Sequence, residues 1–416
     1  MPDYKIRGTA PLRGSVLVQG AKNSVLPMLA ACLLCSEKVQ LSGVPQLSDV
    51  SNSLRIIEKL GCRVRRGVHT LEVDTQAVCY STLTAEDCRK MRSSVLFLGP
   101  LLGRTGRAEL YCPGGCVLGP RPIDLHIEAL CKMGAEIEVT DERISAVCPD
   151  GLQGSEITLR YPSVGATENI LMAACLAKGR TVLYNSAVEP EIGELIALLR
   201  AMGAFIEVGG GRVCIEGSER LHGCHRTVGA DRIVAFTLMA AALVTDGEIT
   251  LCNCPVQALQ APLRVLGDIG ADISLCGEGL RIRRGTKIYP VNVSSAPYPG
   301  FPTDAGALLL TILSLASGRS RYEETVFSDR FAIAEQLRRL GADIEVKNNC
   351  AVINGVPQLC GGTVRATDLR AGAALIVAAL GAQGESTVCG GEHILRGYED
   401  IVGVFRSLGA EITEIN

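Results

Sequence analysis

Glu191-Ile192-Gly193-Glu194-Leu195-Ile196-Ala197-Leu198-Leu199-Arg200-Ala201-Met202-Gly203-Ala204-Phe205-Ile206 is the stretch whose reading decides the fold. Ile192, Leu195, Ile196, Leu199 and Met202 recur at i, i+3, i+4, i+7, the one-faced pattern of an amphipathic helix, and Gly203 stands where a left-handed cap ends one. Downstream, Phe205 to Val208 and Arg212 to Glu216 flank Gly209-Gly210-Gly211, which reads as a hairpin. Upstream, Asn169 to Ala177 is apolar on nearly every side, which predicts a buried central helix, and Thr181 to Tyr184 reads as a strand. The unit is therefore helix, strand, helix, hairpin.

Its closing signature, a bulky apolar residue, Gly, a small residue, one more position and Ile or Val, occurs six times. The copies centre on Gly61, Gly134, Gly203, Gly270, Gly341 and Gly409, so one supersecondary unit of roughly 70 residues recurs. A chain of 416 residues exceeds what one hydrophobic core serves, and six units divide as three and three. The expected fold class is α/β, with two domains in which three apolar helices pack together inside a shell of strands and amphipathic helices. Only seven residues follow Gly409, so the sixth copy lacks its closing strands. Strand-like pieces between Tyr4 and Gln19 can supply them. That assigns residues 21–229 to one domain and residues 1–20 with 230–416 to the other.

At 47% hydrophobic and 20% charged, with net charge -3, the composition is that of a soluble globular protein with no global attraction to nucleic acid or an anionic membrane. No apolar run approaches the roughly 18 residues of a spanning helix. Met1 to Arg13 carries charges where a signal peptide needs its apolar region, so a cytoplasmic protein is expected. The 18 cysteines are scattered through apolar stretches, which suits reduced thiols acting as small hydrophobes. Cys32 and Cys35 have CxxC spacing but lie inside an apolar run with no second pair nearby, so core packing is the reading. His222 and His225 around Cys224 lack a fourth ligand and read as a loop. No metal is expected.

Roughly 40 residues upstream of each signature glycine, charged or polar residues precede the buried helix: Lys22-Asn23, Arg92, Ser163-Val164-Gly165, Asp231-Arg232, Thr303-Asp304 and Asp368-Leu369-Arg370. Helix capping alone accounts for Ser163, Thr303 and Asp368. It does not account for the bases. A cation at a helix N-terminus opposes the helix dipole, so Lys22, Arg92, Arg232 and Arg370 cost stability unless an anion shares the site. Phosphate or carboxylate ligands are implied, gathered on one face of each domain and so in an interdomain cleft; a solvated surface is the alternative. Separately, Cys112 to His126 is Gly/Pro-rich and reads as a mobile lid. Its Cys116, beside two glycines and five residues before Arg121, is the one cysteine with an evident route to reactivity, the alternative being an incidental loop thiol.

These residues resemble the bacterial UDP-N-acetylglucosamine 1-carboxyvinyltransferases, enolpyruvyl transferases that begin peptidoglycan precursor synthesis and so serve cell-wall biogenesis, cell shape and division. The similarity spans the chain and is carried by Gly20-Ala21-Lys22-Asn23, Pro113-Gly114-Gly115-Cys116 with Arg121-Pro122-Ile123-Asp124-Leu125-His126, Ser163-Val164-Gly165-Ala166-Thr167, Phe301-Pro302-Thr303-Asp304, Thr367-Asp368-Leu369-Arg370 and Arg396-Gly397-Tyr398-Glu399. The resemblance implies a two-domain inside-out α/β barrel, or prism, of six repeats with three per domain, closing around its substrates. It implies that the 3'-hydroxyl of UDP-N-acetylglucosamine adds to C2 of phosphoenolpyruvate and that phosphate is then lost, with no cofactor.

The resemblance also implies roles. Lys22, Arg121 and Arg396 would hold phosphoenolpyruvate, with Arg92, Arg330 and Arg370 completing the anion-binding set. Asp304 would be the general base at the sugar hydroxyl and Cys116 the proton donor to the methylene. In such families that cysteine also forms an adduct with phosphoenolpyruvate and is alkylated by fosfomycin. The uridine nucleotide would lie against Arg121, Pro122, Ile123, Asp124 and Leu125 and against Ser163, Val164 and Gly165, with Asn23, Asp304 and Val326 nearer the sugar and Asp231 and Asp368 also among the substrate-binding residues. Two departures stand out: Tyr161, where some relatives carry Lys, and Val234-Ala235-Phe236, in place of a Glu-small-Gly run. The rival readings are a 5-enolpyruvylshikimate-3-phosphate synthase, which lacks the cysteine lid, and a non-catalytic UDP-sugar-binding regulatory paralogue. Lys22, Cys116, Asp304 and Arg396 speak against the second.

Overall fold

The computed structural model describes residues 2–8, 11–111, 123–277, 279–327 and 330–415. All six signature glycines lie in the left-handed region, with φ between +89° at Gly341 and +98° at Gly61 and Gly270. A Cβ is disfavoured there, which is why glycine recurs. In the third copy Gly203 N–H donates to the Arg200 carbonyl and Ala204 N–H to the Leu199 carbonyl, both at 3.0 Å, satisfying the last carbonyls of helix Pro190–Ala201. The same pair of bonds recurs at Gly61, Gly134, Gly341 and Gly409. A second recurrence lies outside the apolar signature. Nε of Arg200, Arg338 and Arg406, each three residues before its glycine, donates to the carbonyls of Ile206, Ile344 and Ile412 at 2.9, 2.7 and 2.6 Å.

The described residues pack as two compact units, one holding those of 20–111 and 123–229 and the other those of 2–19 and 230–415. Each has its own hydrophobic core. In the first unit, Arg180–Tyr184 runs antiparallel to Arg212–Glu216, which forms a hairpin with Phe205–Gly209, while Glu156–Thr158 adds in parallel. Gly210 and Gly211 have φ of +60° and +73°, as a two-residue hairpin turn of the twist-compatible type requires. A second sheet orders His225–Thr227, Lys38–Ser42, Thr70–Asp74 and Arg63–Gly67. A third has only Arg107–Tyr111, Arg143–Val147 and Glu136–Val139, its fourth strand reduced to a bridge between Thr82 and Glu109. Helix Val164–Ala174 is buried at every residue from Ala166 onward and packs on Leu98–Thr105. A helix apolar all round has no face to give to water.

In the other unit the helices Arg232–Val244, Gly306–Leu313 and Leu369–Gly381 touch one another pairwise, and every residue from Arg370 to Leu380 is buried. Strand Asp3–Arg7 lies between Glu385–Cys389 and Glu411–Ile415, antiparallel to both. Arg13–Leu17 does not join them. It pairs in parallel with Glu248–Cys252, so only one of the two N-terminal strands closes the sheet of the sixth copy. The remaining sheet orders Asn292–Ser294, Arg319–Glu323, Cys350–Asn354 and Asp343–Lys347.

Among the described residues none of the six sheets closes on itself, so the architecture is mixed α/β without a closed barrel of strands. His225 does not sit in a loop, because His225–Thr227 pairs in parallel with Lys38–Ser42. Cys32 and Cys35 are buried, with Sγ to the Met28 and Glu37 carbonyls at 3.2 and 3.3 Å, and burial pushes both thiols up. Among the described residues no three His, Cys, Asp or Glu side chains converge as a metal site, and no helix is long and apolar enough to cross a membrane.

Candidate active site

The anticipated site residues fall on both units, and each group is built by its own unit. In the unit that contains residue 304, an aromatic chain forms the floor. Phe236 meets Phe301 edge-on at 5.8 Å, Phe301 meets Tyr322 at 6.4 Å, and Tyr322 meets Phe331 at 5.9 Å. Val234, Ala235 and Phe236 are all buried, so this departure from the expected run contributes core packing beneath the 303–305 turn.

On that floor stands Asp304. Its Oδ1 accepts from Arg330 Nη2 at 2.8 Å, and its Oδ2 accepts from Arg370 Nε and Nη2 at 3.3 Å. The side chains are 26%, 10% and 6% exposed for Asp304, Arg330 and Arg370, so the trio is shielded enough for charge to count. Burial works against the Arg370 charge, but Asp304, Tyr398 and Asp231 outweigh it and hold the guanidinium firmly protonated. Arg330 Nε and Arg370 Nη1 are buried and have no hydrogen-bond partner among the described residues. A small cleft opens here, lined by Thr303, Glu324, Arg330, Asp368 and Arg370 among others.

Three anticipated contacts act as helix caps. Asp231 Oδ1 accepts from Ile233 N–H at 2.8 Å and Val234 N–H at 3.1 Å, and Asp368 Oδ1 from Arg370 N–H at 2.8 Å and Ala371 N–H at 3.0 Å. Ser163 Oγ accepts from Ala166 N–H at 3.4 Å. Thr303 is not a cap. It lies inside the 303–305 turn rather than before it, and its hydroxyl donates to Glu324 Oε2 at 2.8 Å. Arg396 ends the turn Gly391–Arg396, and the segment after it is tied down by Gln19. Gln19 Nε2 donates to the Gly397 carbonyl at 3.0 Å, its Oε1 accepts from Glu399 N–H at 3.1 Å, and its carbonyl accepts from Asp231 N–H at 2.8 Å. Neither Gln19 nor Glu324 shows in the sequence as more than a polar residue in or beside a strand.

In the other unit Lys22 opens helix Lys22–Ala31, and its Nζ pairs with Asp49 at 2.6 Å, both side chains being nearly buried. The dipole argument for a ligand anion at Lys22 therefore meets a carboxylate of the chain itself, as it does at Arg370 with Asp304. Pro27 lies inside the same helix and has no N–H for the Asn23 carbonyl. The helix touches the Arg92–Phe97 turn, which Arg92 begins. Arg232 stands 6.0 Å from the Tyr298 ring centre.

Ile123 precedes helix Asp124–Lys132, where Asp124 pairs with Arg160 and accepts from Leu125 N–H at 3.0 Å. Tyr161 beside that arginine is 44% exposed. His126, next in line, is buried against Asn169. The Asn169 oxygen accepts from Gly99 N–H at 2.8 Å, while its nitrogen donates to the Val95 carbonyl at 3.0 Å and faces His126 Nδ1 at 2.8 Å. That amide orientation makes Nδ1 an acceptor and leaves the ring proton on Nε2. Burial, with Arg92 adding, holds the imidazole down at about 4 and therefore neutral. Cys116, Arg121 and Pro122 lie outside the described residues.

The family described as EPSP synthase (3-phosphoshikimate 1-carboxyvinyltransferase) matches residues 6–405. The chain is 44% identical to the UDP-N-acetylglucosamine 1-carboxyvinyltransferase of Finegoldia magna, over 100% of this chain and 99% of that one. It is also 44% identical to the enzyme of that name from Zymomonas mobilis, over 100% of both. Among solved structures, the enolpyruvyl transferase NikO from Streptomyces tendae superimposes with a TM-score of 0.90 at 26% identity, over 99% of this chain and 98% of that one. An EPSP synthase from Acinetobacter baumannii reaches 0.78 at 17% identity over 100% of both, a likeness of fold.

Proposed function

The chain belongs to the enolpyruvyl transferase family, in the company of UDP-N-acetylglucosamine 1-carboxyvinyltransferases, and on that premise we propose that it transfers the enolpyruvyl group of phosphoenolpyruvate to the 3'-hydroxyl of UDP-N-acetylglucosamine. The observation that carries the proposal is the carboxylate of Asp304 gripped by Arg330 and Arg370, with a buried N–H of each arginine left without a partner among the described residues. An anionic substrate satisfies such donors, and in doing so it shares the two guanidiniums with Asp304.

In this reading the incoming anion loosens the carboxylate, which then takes the proton of the sugar hydroxyl as its oxygen attacks C2. Cys116 delivers a proton to C3, giving a tetrahedral intermediate. Loss of a C3 proton and of phosphate regenerates the double bond in the product ether. Lys22, Arg121 and Arg396 hold phosphoenolpyruvate, Arg92, Arg330 and Arg370 complete the charge around it, and preorganised cations stabilise the charge that develops. Ile123 to Leu125 and Ser163 to Gly165 receive the nucleotide, while Asn23 and Val326 stand near the sugar. Asp231 and Asp368 act through the helix starts they cap. Six repeats of the helix, strand, helix, hairpin kind, three in each unit, are the framework this reading gives to these residues. Cytoplasmic work in peptidoglycan precursor synthesis accords with soluble, anionic substrates.

The family description favours a second reading, in which shikimate 3-phosphate is the acceptor. The relatives at 44% identity and the Pro113-Gly114-Gly115-Cys116 motif of the sequence support the nucleotide sugar instead. Mass spectrometry of the reaction with both acceptors present tests the choice. An enolpyruvyl ether of UDP-N-acetylglucosamine alone is the expected product, and an ether of shikimate 3-phosphate overturns the proposal.

A further inference from the structure

Glu324 is 1% exposed, and no ion pair among the described residues includes it. Five neutral donors surround its carboxylate instead. Oε1 accepts from Ser295 Oγ at 2.8 Å, Val326 N–H at 2.8 Å and Phe327 N–H at 3.2 Å. Oε2 accepts from Thr303 Oγ1 at 2.8 Å and Tyr322 OH at 2.9 Å. Two backbone N–H groups can only donate, so the oxygen they share is an acceptor, and the hydroxyls complete a cage for an anion.

A buried carboxyl group held, among the described residues, by neutral donors and no direct ion pair is an expensive way to fill space, since an apolar side chain of similar volume would avoid the desolvation. What the anion does that an apolar group cannot is draw three chain segments to one point: the end of strand Asn292–Ser294, the 303–305 turn and the 325–327 segment. The first is locked further, because Ser295 Oγ accepts from Thr325 N–H at 2.9 Å and the Ser295 carbonyl accepts from Thr325 Oγ1 at 2.6 Å. The other two each bear a residue that the proposed function sets against the sugar. Asp304 follows Thr303 directly, and Val326 is itself one of the donors.

We propose that Glu324 is a positioning residue for the transfer reaction, its buried carboxylate fixing the Thr303-Asp304 turn and the Val326-Phe327 segment relative to each other and so setting where Asp304 and Val326 meet the acceptor. This rests on the reading of Asp304 and Val326 given above. Glu324 touches no substrate in this account. It acts through Thr303 and through the backbone of Val326 and Phe327.

The test compares Glu324→Ala, Glu324→Gln and Thr303→Val with the unaltered chain by phosphate release, with kcat counted per folded molecule from near-ultraviolet circular dichroism. Glu324→Ala is expected to lower kcat roughly 10- to 100-fold, the cost of a small misplacement, and to raise KM for UDP-N-acetylglucosamine more than KM for phosphoenolpyruvate. Glu324→Gln is expected to restore most of the rate: its oxygen keeps the backbone donors, and the Thr303 and Tyr322 hydroxyls turn to accept from its amide nitrogen. Thr303→Val, which removes one tether and no bulk, is expected to move kcat and KM in the same directions as the alanine variant. A Glu324→Ala chain that melts earlier but keeps kcat and both KM values overturns the proposal, as does a Gln variant no better than Ala. If the alanine variant does not fold, an unchanged kcat and KM in Thr303→Val overturns it. An unaltered chain that releases no phosphate from either acceptor strikes the underlying reading of Asp304 instead.

Discussion

Asp304 accepts on Oδ1 from Nη2 of Arg330 at 2.8 Å, so the group assigned as base is held by a group assigned to anions. Asp304→Asn keeps an acceptor between the arginines and removes the base, and a general base contributes about 10²- to 10⁴-fold. Turnover of that variant should fall within this range with the fold intact. Asp304→Ala also leaves Arg330 and Arg370 unpaired at shielded positions and should cost in addition on the order of 2–3 kcal/mol of stability, less than a fully buried pair because Asp304 is a quarter exposed. Steady-state kinetics and chemical denaturation separate the two effects.

His126 sets a pH dependence whose sign follows from its burial. The folded ring sits at about 4 against an ordinary 6.5, so between those values the unfolded chain binds a proton that the folded chain refuses. Its stabilising contribution is complete above pH 6.5 and is lost as pH falls toward 4, by about 3 kcal/mol across the window at 1.4 kcal/mol per pH unit. His126→Gln, which retains an oxygen to accept from Asn169, should flatten denaturation midpoints between pH 6.5 and 4. An unchanged slope would place the titrating group elsewhere.

Glu168 has the opposite sign. Burial first, then Glu191 and Glu189, push its carboxyl well above 4.5. The folded chain therefore keeps a proton that the unfolded chain releases, and stability falls as pH rises through and beyond 4.5. Glu168→Gln should raise the melting temperature at pH 8 more than at pH 4.5. Equal shifts at both values would show that the proton is not the cause.

Among the glycines, Gly409 isolates backbone strain, because at φ +96° a Cβ would meet nothing within 4 Å. Gly409→Ala should cost about 1–2 kcal/mol in urea denaturation. Gly203 has the same φ but crowds His222 Nε2 at 2.9 Å, so its alanine variant should cost at least as much. Gly193, inside helix Pro190–Ala201 with open space at its Cβ position, should instead gain about 0.5–1 kcal/mol as alanine. A neutral Gly409→Ala would refute the cap account.

Gly203 and its five counterparts are legible because a left-handed cap admits almost nothing else, and the central helices are legible because an apolar surface on all sides has one solution. Lys22 is legible as a base at a helix start, but its partner is not: Asp49 lies on the next helix, and no local pattern joins them. The recurring bases pointed to ligand anions, whereas Lys22 and Arg370 already face carboxylates of the chain. Glu324 reads as one more acid after a strand, because its burial depends on donors from three separate segments. Arg13–Leu17 is strand-like without any mark of which sheet it joins.

The central claim is the identity of the acceptor, and the most direct measurement is phosphate release from phosphoenolpyruvate with UDP-N-acetylglucosamine or shikimate 3-phosphate supplied singly. Release with the nucleotide sugar and none with shikimate 3-phosphate is the predicted result. Release with shikimate 3-phosphate alone, or with neither, would contradict it.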